Sequence, residues 1–265
     1  MKIGFIGAGN MGGAIIGGII GNGIAEPADI IVSDINKTKV NELLNQYHIK
    51  QGLSNEIVAA AVDILFLCVK PNAIYSVIDE IKGSVKTETI IVSIVAGQAI
   101  AKLEAAFCRD SLKLVRVMPN TPSLVGEGMA AIVPNANADE DDTAKVLEIF
   151  NSFGKAEAVS EQLMDAVTAV SGSSPAYVFM FIEAMADAAV QGGMPRSQAY
   201  TFAAQAVLGS AKMVLETGKH PGELKDMVCS PAGTTIDAVA VLEEEGMRAA
   251  VIKAMKACID KSKVL

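Results

Sequence analysis

The sequence predicts an α/β fold in two parts, a doubly wound, largely parallel sheet over residues 1–159 and an all-helical domain over residues 160–265. Three observations carry this. A short apolar strand runs straight into a G-x-G-x-x-G turn at Gly7–Gly12. Strand-like and helix-like segments then alternate to about residue 159. The remainder reads as helix, and is too apolar for one subunit to cover.

Residues 2–6 (KIGFI) are short, β-prone and apolar, as a strand buried on both faces must be. They lead into Gly7-Ala8-Gly9-Asn10-Met11-Gly12 and then a helix-compatible apolar segment. In such a turn the first glycine makes the tight bend, the second admits a pyrophosphate to the backbone, and the third lets helix meet strand. The phosphates rest on the amides that open the helix. The first part therefore reads as a Rossmann-type dinucleotide-binding domain. A second strand over residues 29–33 ends at Asp34, 22 residues beyond Gly12, where such folds place the acid that meets the adenosine ribose. That acid favours the free diol of NAD(H) and repels the 2′-phosphate of NADP(H). Lys37 and Lys39 are close enough to offset the repulsion, so both coenzymes stay open. The other reading of Asp34 is as a cap for the helix beginning near Lys37.

The alternation continues with helices over residues 38–47 and 55–61, a strand over 64–69, a helix over 74–81, and strands over 89–93 and 112–117. Alternating strands and helices imply a parallel sheet whose ligands gather at the carboxyl ends of the strands. The irregular ends at 69–72, 95–97 and 118–122 should line one crevice. Lys70 in that crevice positions the coenzyme or is solvated, with a role as catalytic acid the alternative. Residues 128–134 and 156–159 read as edge strands flanking a helix over 139–153, whose leading acids, Asp139 to Asp142, suit the helix dipole.

Between Ala166 and Ala211, 46 residues carry three charges, Glu183, Asp187 and Arg196. A helix bearing Tyr177, Phe179, Met180, Phe181, Met185 and Val190 around one thin Glu183–Asp187 stripe must be buried nearly all round. About 105 residues cannot do this alone, so a partner subunit should supply the cover. Small residues such as Ala184, Ala188 and Gly192 suit close helix approach, and Pro195 and Arg196 break the apolar length that a membrane span would need. Two junctions stand out. Residues 171–177 end one helix and start another, with Pro175 in its first turn. Residues 229–236 (CSPAGTTI) open a helix whose free amides form a cradle for a carboxylate, with hydroxyls from Thr234 and Thr235. Capping alone is the other reading of those hydroxyls.

Composition narrows the function classes. With 30 acidic and 22 basic residues, net charge −8 and no basic cluster, nucleic acid is a poor partner, and 51% hydrophobic content excludes disorder. The uncharged run over residues 3–25 has the length of a membrane span or signal peptide, but its nine glycines fit neither. Cys68, Cys108, Cys229 and Cys258 form no C-x-x-C pair and read as thiols of a reducing cytoplasm. His48 and His220 lie apart without nearby cysteines, so no metal centre is expected, and no G-x-S-x-G elbow accompanies His220 to make a triad.

The segments GFIGAGNMGGAI, FLCVKPN, IVAGQ, VRVMPNTP, DAVTAVSGSSPAYVF and HPGELKDMVCSPAGTTI resemble the pyrroline-5-carboxylate reductase family over essentially the whole chain. The last two are the specific ones. The family usually has glycine where Ser174 and Ala232 stand here. The resemblance implies reduction of 1-pyrroline-5-carboxylate to L-proline, the last step of proline synthesis, with NADPH or NADH. It also implies a helical domain interlocked into a homodimer, with five dimers often forming a decamer. It places the coenzyme against Ile6, Gly7, Ala8, Gly9, Asn10, Met11, Gly12, Asp34, Asn55, Val69, Lys70, Pro71, Asn72, Val95, Ala96 and Gly97. It places the substrate against Glu161, Gly233, Thr234 and Thr235, with Ser230 shaping the loop. Family members commonly favour NADPH, whereas Asp34 pulls toward NADH.

The lack of a His or Cys acid–base centre is consistent with this chemistry. A cyclic imine can arrive already protonated as an iminium, so no enzyme acid is obligatory. The expectation is that the helix start near residue 234 binds the substrate carboxylate. The Thr235 hydroxyl then acts as the catalytic group that holds the ring nitrogen. Two rivals are kept. A β-hydroxyacid dehydrogenase or other imine reductase of the same plan would place a catalytic lysine in the helical half, for which Lys212 and Lys225 are the candidates. A non-catalytic NAD(P) sensor would need no carboxylate cradle.

Overall fold

The computed structural model describes residues 1–264 and comprises two compact units, residues 1–173 with the chain end from Ile259 onward, and residues 174–258. The first unit is built on eight strands: β1 (Ile3–Ile6), β2 (Ile30–Ser33), β3 (Lys50–Gln51), β4 (Ile64–Leu67), β5 (Ile90–Ser93), β6 (Lys113–Met118), β7 (Gly128–Pro134) and β8 (Gly154–Ala158). Their order across the sheet is β3-β2-β1-β4-β5-β6-β7-β8. All neighbours are parallel except β6 and β7. Six helices connect them: α1 (Asn10–Gly21), α2 (Lys37–Tyr47), α3 (Asn55–Ala61), α4 (Ile74–Ile81), α5 (Ile100–Phe107) and α6 (Glu140–Asn151).

Strands β1, β4 and β5 are buried along their whole length, which is why they read as unbroken apolar runs. Alternate residues feed two cores, one on each face. Ile3, Phe5 and Phe66 pack with Ile15, Ile16 and Ile19 of α1 and Phe150 of α6. Leu65, Leu67, Ile91 and Leu114 pack with α3, α4 and α5. Phe5 and Phe66, opposite each other in the β1–β4 register, stack at 4.8 Å between centroids. The uncharged opening of the chain is thus a buried strand, a turn and a helix whose inner face (Ala14, Ile15, Ile16, Ile19) lies in the core. The acids before α6 act as expected. Asp139 caps the helix in a reciprocal box with Asp142, and Lys113 pairs with Asp142 at 2.8 Å.

The structure departs from expectation in four places. Residues 128–134 are not an edge strand. After β6 the chain turns back through a 3-10 helix at Thr121–Val125, so β7 runs antiparallel inside the sheet and β8 takes the edge. Helix α5 between β5 and β6 was not foreseen, and neither was the two-residue edge strand β3. Finally, the compact units divide at Ser173/Ser174, later than the break expected after residue 159. Residues 161–172, which form a 3-10 turn, α7 (Met164–Val167) and a π-helical turn at Thr168–Gly172, pack on the sheet unit. Met164 is buried in its core, and Asn120 Nδ2 donates to the Ser171 carbonyl at 3.1 Å.

The second unit holds α8 (Ser174–Gln191), α9 (Arg196–Thr217), α10 (Pro221–Val228), α11 (Thr234–Glu244) and most of α12 (Met247–Ser262). The residues buried in it are three alanines, Ala186, Ala199 and Ala203. Its large apolar side chains lie at the surface: Phe179 is 63% exposed, Phe202 65% and Ile252 67%. A helical unit without large side chains in its interior is unfinished as a monomer. Among the described residues no helix is long and apolar enough to cross a membrane.

Candidate active site

The three glycines of the first turn serve different ends. Gly7 has φ +112°, and a Cβ there would lie 2.4 Å from the Cys68 carbonyl oxygen. A Cβ at Gly12 would lie 2.5 Å from the Gly7 carbonyl oxygen. Packing within the protein demands both. Gly9 is different, because its φ of −70° is open to any residue and a Cβ would meet nothing within 4 Å. Nothing inside the protein requires that glycine, and the open space beside it suits a phosphate approaching the backbone. Helix α1 behind it has no side-chain cap and no acid in its first turn, which leaves its opening amides for an anion. These residues fit a dinucleotide.

The end of β2 is tied to this turn by two bonds. Gly7 N donates to the Ser33 carbonyl at 2.8 Å, and Ala8 N donates to Asp34 Oδ2 at 2.6 Å. The other carboxylate oxygen of Asp34 accepts from Asn36 N at 2.7 Å. Asp34 does not cap α2, because Asn36 does, its side chain accepting from Thr38 N and Lys39 N. Asn55 opens α3 with both ends of its amide engaged. Its Oδ1 accepts from the buried Ser33 hydroxyl at 2.8 Å, and its Nδ2 donates to Glu80 at 2.6 Å.

The parallel register Leu67↔Ser93↔Arg116 brings the ends of β4, β5 and β6 to the same sheet edge. Lys70, Pro71 and Asn72 are exposed there, and Pro71 begins a 3-10 turn. Cys68, just before them, stands behind Gly7, and desolvation pushes its thiol well above the usual range, so it is a neutral wall. After β5, Val95 is buried, Ala96 is exposed and Gly97 takes φ +73°. This loop is held from outside. Tyr75 donates to Gln98 Oε1 at 2.7 Å, and Glu161 Oε1 accepts both from Ile100 N and from Arg116, each at 2.8 Å. Glu161, expected at the substrate, thus stands in the sheet unit as the anchor of the 95–100 turn. Ser33, Gln98 and Arg116 are supports that sequence reading missed. Arg116 left a signal, a lone cation inside the otherwise apolar run LVRVM.

In the helical unit, residues 230–235 form a tight turn into α11. Gly233 N donates to the Ser230 carbonyl at 3.1 Å, and a Cβ at Gly233 would fall 2.4 Å from Ser230 Oγ. Ala232 adopts φ +57°, a left-handed conformation that suits glycine. No side chain caps α11, so the hydroxyls of this loop are not cap residues and the amides that open the helix remain for a ligand. Thr235 is half-buried and Thr234 exposed. His220 serves as the cap of α10, its Nδ1 accepting from Gly222 N at 3.0 Å. The lysines a rival dehydrogenase would use are in ion pairs, Lys212 with Glu216 at 3.5 Å and Lys225 with Asp226 at 2.7 Å.

Comparison with known proteins starts the helical family at residue 161, ahead of the Ser173/Ser174 boundary between the compact units. Residues 161–265 match the pyrroline-5-carboxylate reductase dimerisation family, and residues 2–97 match the coenzyme F420-dependent NADP oxidoreductase family. A pyrroline-5-carboxylate reductase of Escherichia coli (strain K12) is 57% identical over 264 residues, covering 100% of this chain and 98% of its own. Among solved structures, the Plasmodium falciparum pyrroline carboxylate reductase with NADP bound superposes with a TM-score of 0.88 at 36% identity, covering 100% of this chain and 97% of that one. A pyrroline-5-carboxylate reductase from Coxiella burnetii gives 0.91 at 34% identity, over 99% and 97%. The dimerisation match and the open apolar faces of α8, α9 and α12 make the protein a homo-oligomer. With the dimerisation match over residues 161–265 and identity of 57% along the whole chain, the chain belongs to the pyrroline-5-carboxylate reductase family.

Proposed function

We propose that this protein reduces 1-pyrroline-5-carboxylate to L-proline with NADPH or NADH, the closing step of proline synthesis. The observation that carries the reading is similarity along the whole chain, 57% identity over 264 residues, to a protein named for that activity. When bound, the reduced nicotinamide supplies a hydride to the imine carbon. The residues of this chain do the rest. The turn from Ile6 through Gly12 takes the pyrophosphate on the amides of α1, and Asp34 and Asn55 meet the adenosine ribose. The loops Val69–Asn72 and Val95–Gly97 frame the reacting end, and Glu161 keeps the second of them in shape through Ile100 N. Ser230 shapes the turn whose amides, at Gly233 and Thr234, bind the substrate carboxylate. The Thr235 hydroxyl hydrogen-bonds the ring nitrogen and orients its carbon.

The C=N bond becomes C–N as carbon takes the hydride. The nitrogen keeps the proton it carried as iminium or draws one from solvent. We expect Thr235→Ala to lower kcat/KM for the imine by about tenfold to a hundredfold while coenzyme binding holds. An unchanged kcat and KM in that variant overturns the role. The assembly we propose is a homodimer, with five dimers in a decamer. The proposed location is the cytoplasm, in line with four cysteines that form no disulfide.

A further inference from the structure

The turn after β2 is built to accept a bare ribose diol and to turn away a 2′-phosphate. We infer that this enzyme is selective for NADH, with Asp34 as the specificity-determining residue. The inference rests on the dinucleotide site proposed above.

Two features of the turn carry it. The first is that the Asp34 carboxylate is clamped. Oδ2 accepts from Ala8 N in the glycine turn at 2.6 Å, and Oδ1 accepts from Asn36 N at 2.7 Å, so both oxygens are held by backbone from two different elements. A carboxylate held in this way stays in place against a doubly charged phosphate and repels it. A ribose hydroxyl, by contrast, can donate to the lone pairs that remain.

The second feature is that backbone donors at the turn are already engaged. A 2′-phosphate needs N–H groups or cations where the strand gives way to the helix. Here the amides of Asn36, Thr38 and Lys39 are already taken by the side chains of Asp34 and Asn36. Lys37 is exposed, and Lys39 is half-buried at a cavity of about 480 Å³ that also touches Gly13, Gly17 and Tyr47. Neither lysine pairs with Asp34. The cations close in sequence are therefore not held against the acid.

The test is binding of NADH and NADPH to the whole protein, followed by nicotinamide fluorescence without substrate, beside kcat/KM for the imine with each coenzyme. NADH should bind at least about tenfold more tightly than NADPH, by a factor that narrows as salt is raised. Asp34→Ser should shrink or invert that ratio, chiefly by improving NADPH. Asp34→Asn keeps the shape and an acceptor while removing the charge, and should move the ratio the same way even if the serine variant loosens the turn. Equal or tighter binding of NADPH by the native protein, or a ratio unmoved in Asp34→Asn, overturns the inference. Selective NADH binding without imine turnover would overturn the proposed activity and leave this inference standing. Imine turnover at equal efficiency with both coenzymes would do the reverse.

Discussion

Replacing Gly9 by alanine separates folding from coenzyme binding more cleanly than any other single change in the turn. The new methyl meets no protein atom within 4 Å, and φ −70°, ψ −178° suits alanine. As the N-cap of α1, alanine is poorer than glycine by several tenths of a kcal/mol, while a stiffer unfolded chain returns about 0.4–1 kcal/mol. The net change in stability should stay within about 0.5 kcal/mol. Coenzyme binding should suffer badly, because the methyl occupies the approach to the amides that open α1. Loss of two charge-assisted hydrogen bonds, at about 1.5–3 kcal/mol each, corresponds to a Kd raised about a hundredfold or more. Gly7→Ala is the control with the opposite cause. Its φ of +112° and a Cβ 2.4 Å from the Cys68 carbonyl should cost about 3 kcal/mol of stability or more. Thermal unfolding and a fluorescence titration with NADH measure both quantities on each variant. A Gly9→Ala protein that binds coenzyme like the native one, or that melts as early as Gly7→Ala, refutes the assignment of that open space to a phosphate.

Two further substitutions probe the supports. Ala232→Gly relieves the left-handed backbone at φ +57°, worth about 1–2 kcal/mol for a residue with a Cβ, against about 0.4–1 kcal/mol of added unfolded-chain entropy. It should raise Tm by about 1–3 °C, and a lower Tm contradicts the reading of strain. Glu161→Ala strips the shared acceptor from Ile100 N and from Arg116, whose side chain is 13% exposed, and should destabilise the protein by about 2 kcal/mol and weaken coenzyme binding. Glu161→Gln should recover part of both, since an amide oxygen still accepts from Ile100 N. A change confined to the KM of the imine would instead make Glu161 a direct substrate contact.

Much of the candidate site was legible because it depends on local backbone. The glycine spacing, the strand before it and Asp34 at its distance all express short-range geometry that each residue reports on its own. Partners were not legible. Asp34 reads in sequence as a cap for α2, and only the turn's actual path gave those amides to Asn36 and left Asp34 to reach Ala8 N. The 128–134 segment reads the same whether it lies at an edge or inside, so its antiparallel place depended on the reversal at Thr121–Val125.

The sequence by itself determined the two-part plan, the glycine turn and the apolar faces that call for a second copy, because each follows from the spacing and period of residues near one another in the chain. Tertiary structure decided which polar groups meet. Ala8 and Asp34 are 26 residues apart, Ile100 and Glu161 are 61 apart, and such pairings are set by strand order and register rather than by neighbours in the chain. A carboxylate offers the same chemistry wherever it is read in sequence. Whether it meets a ribose or anchors a loop depends on which amides the fold brings within hydrogen-bonding distance.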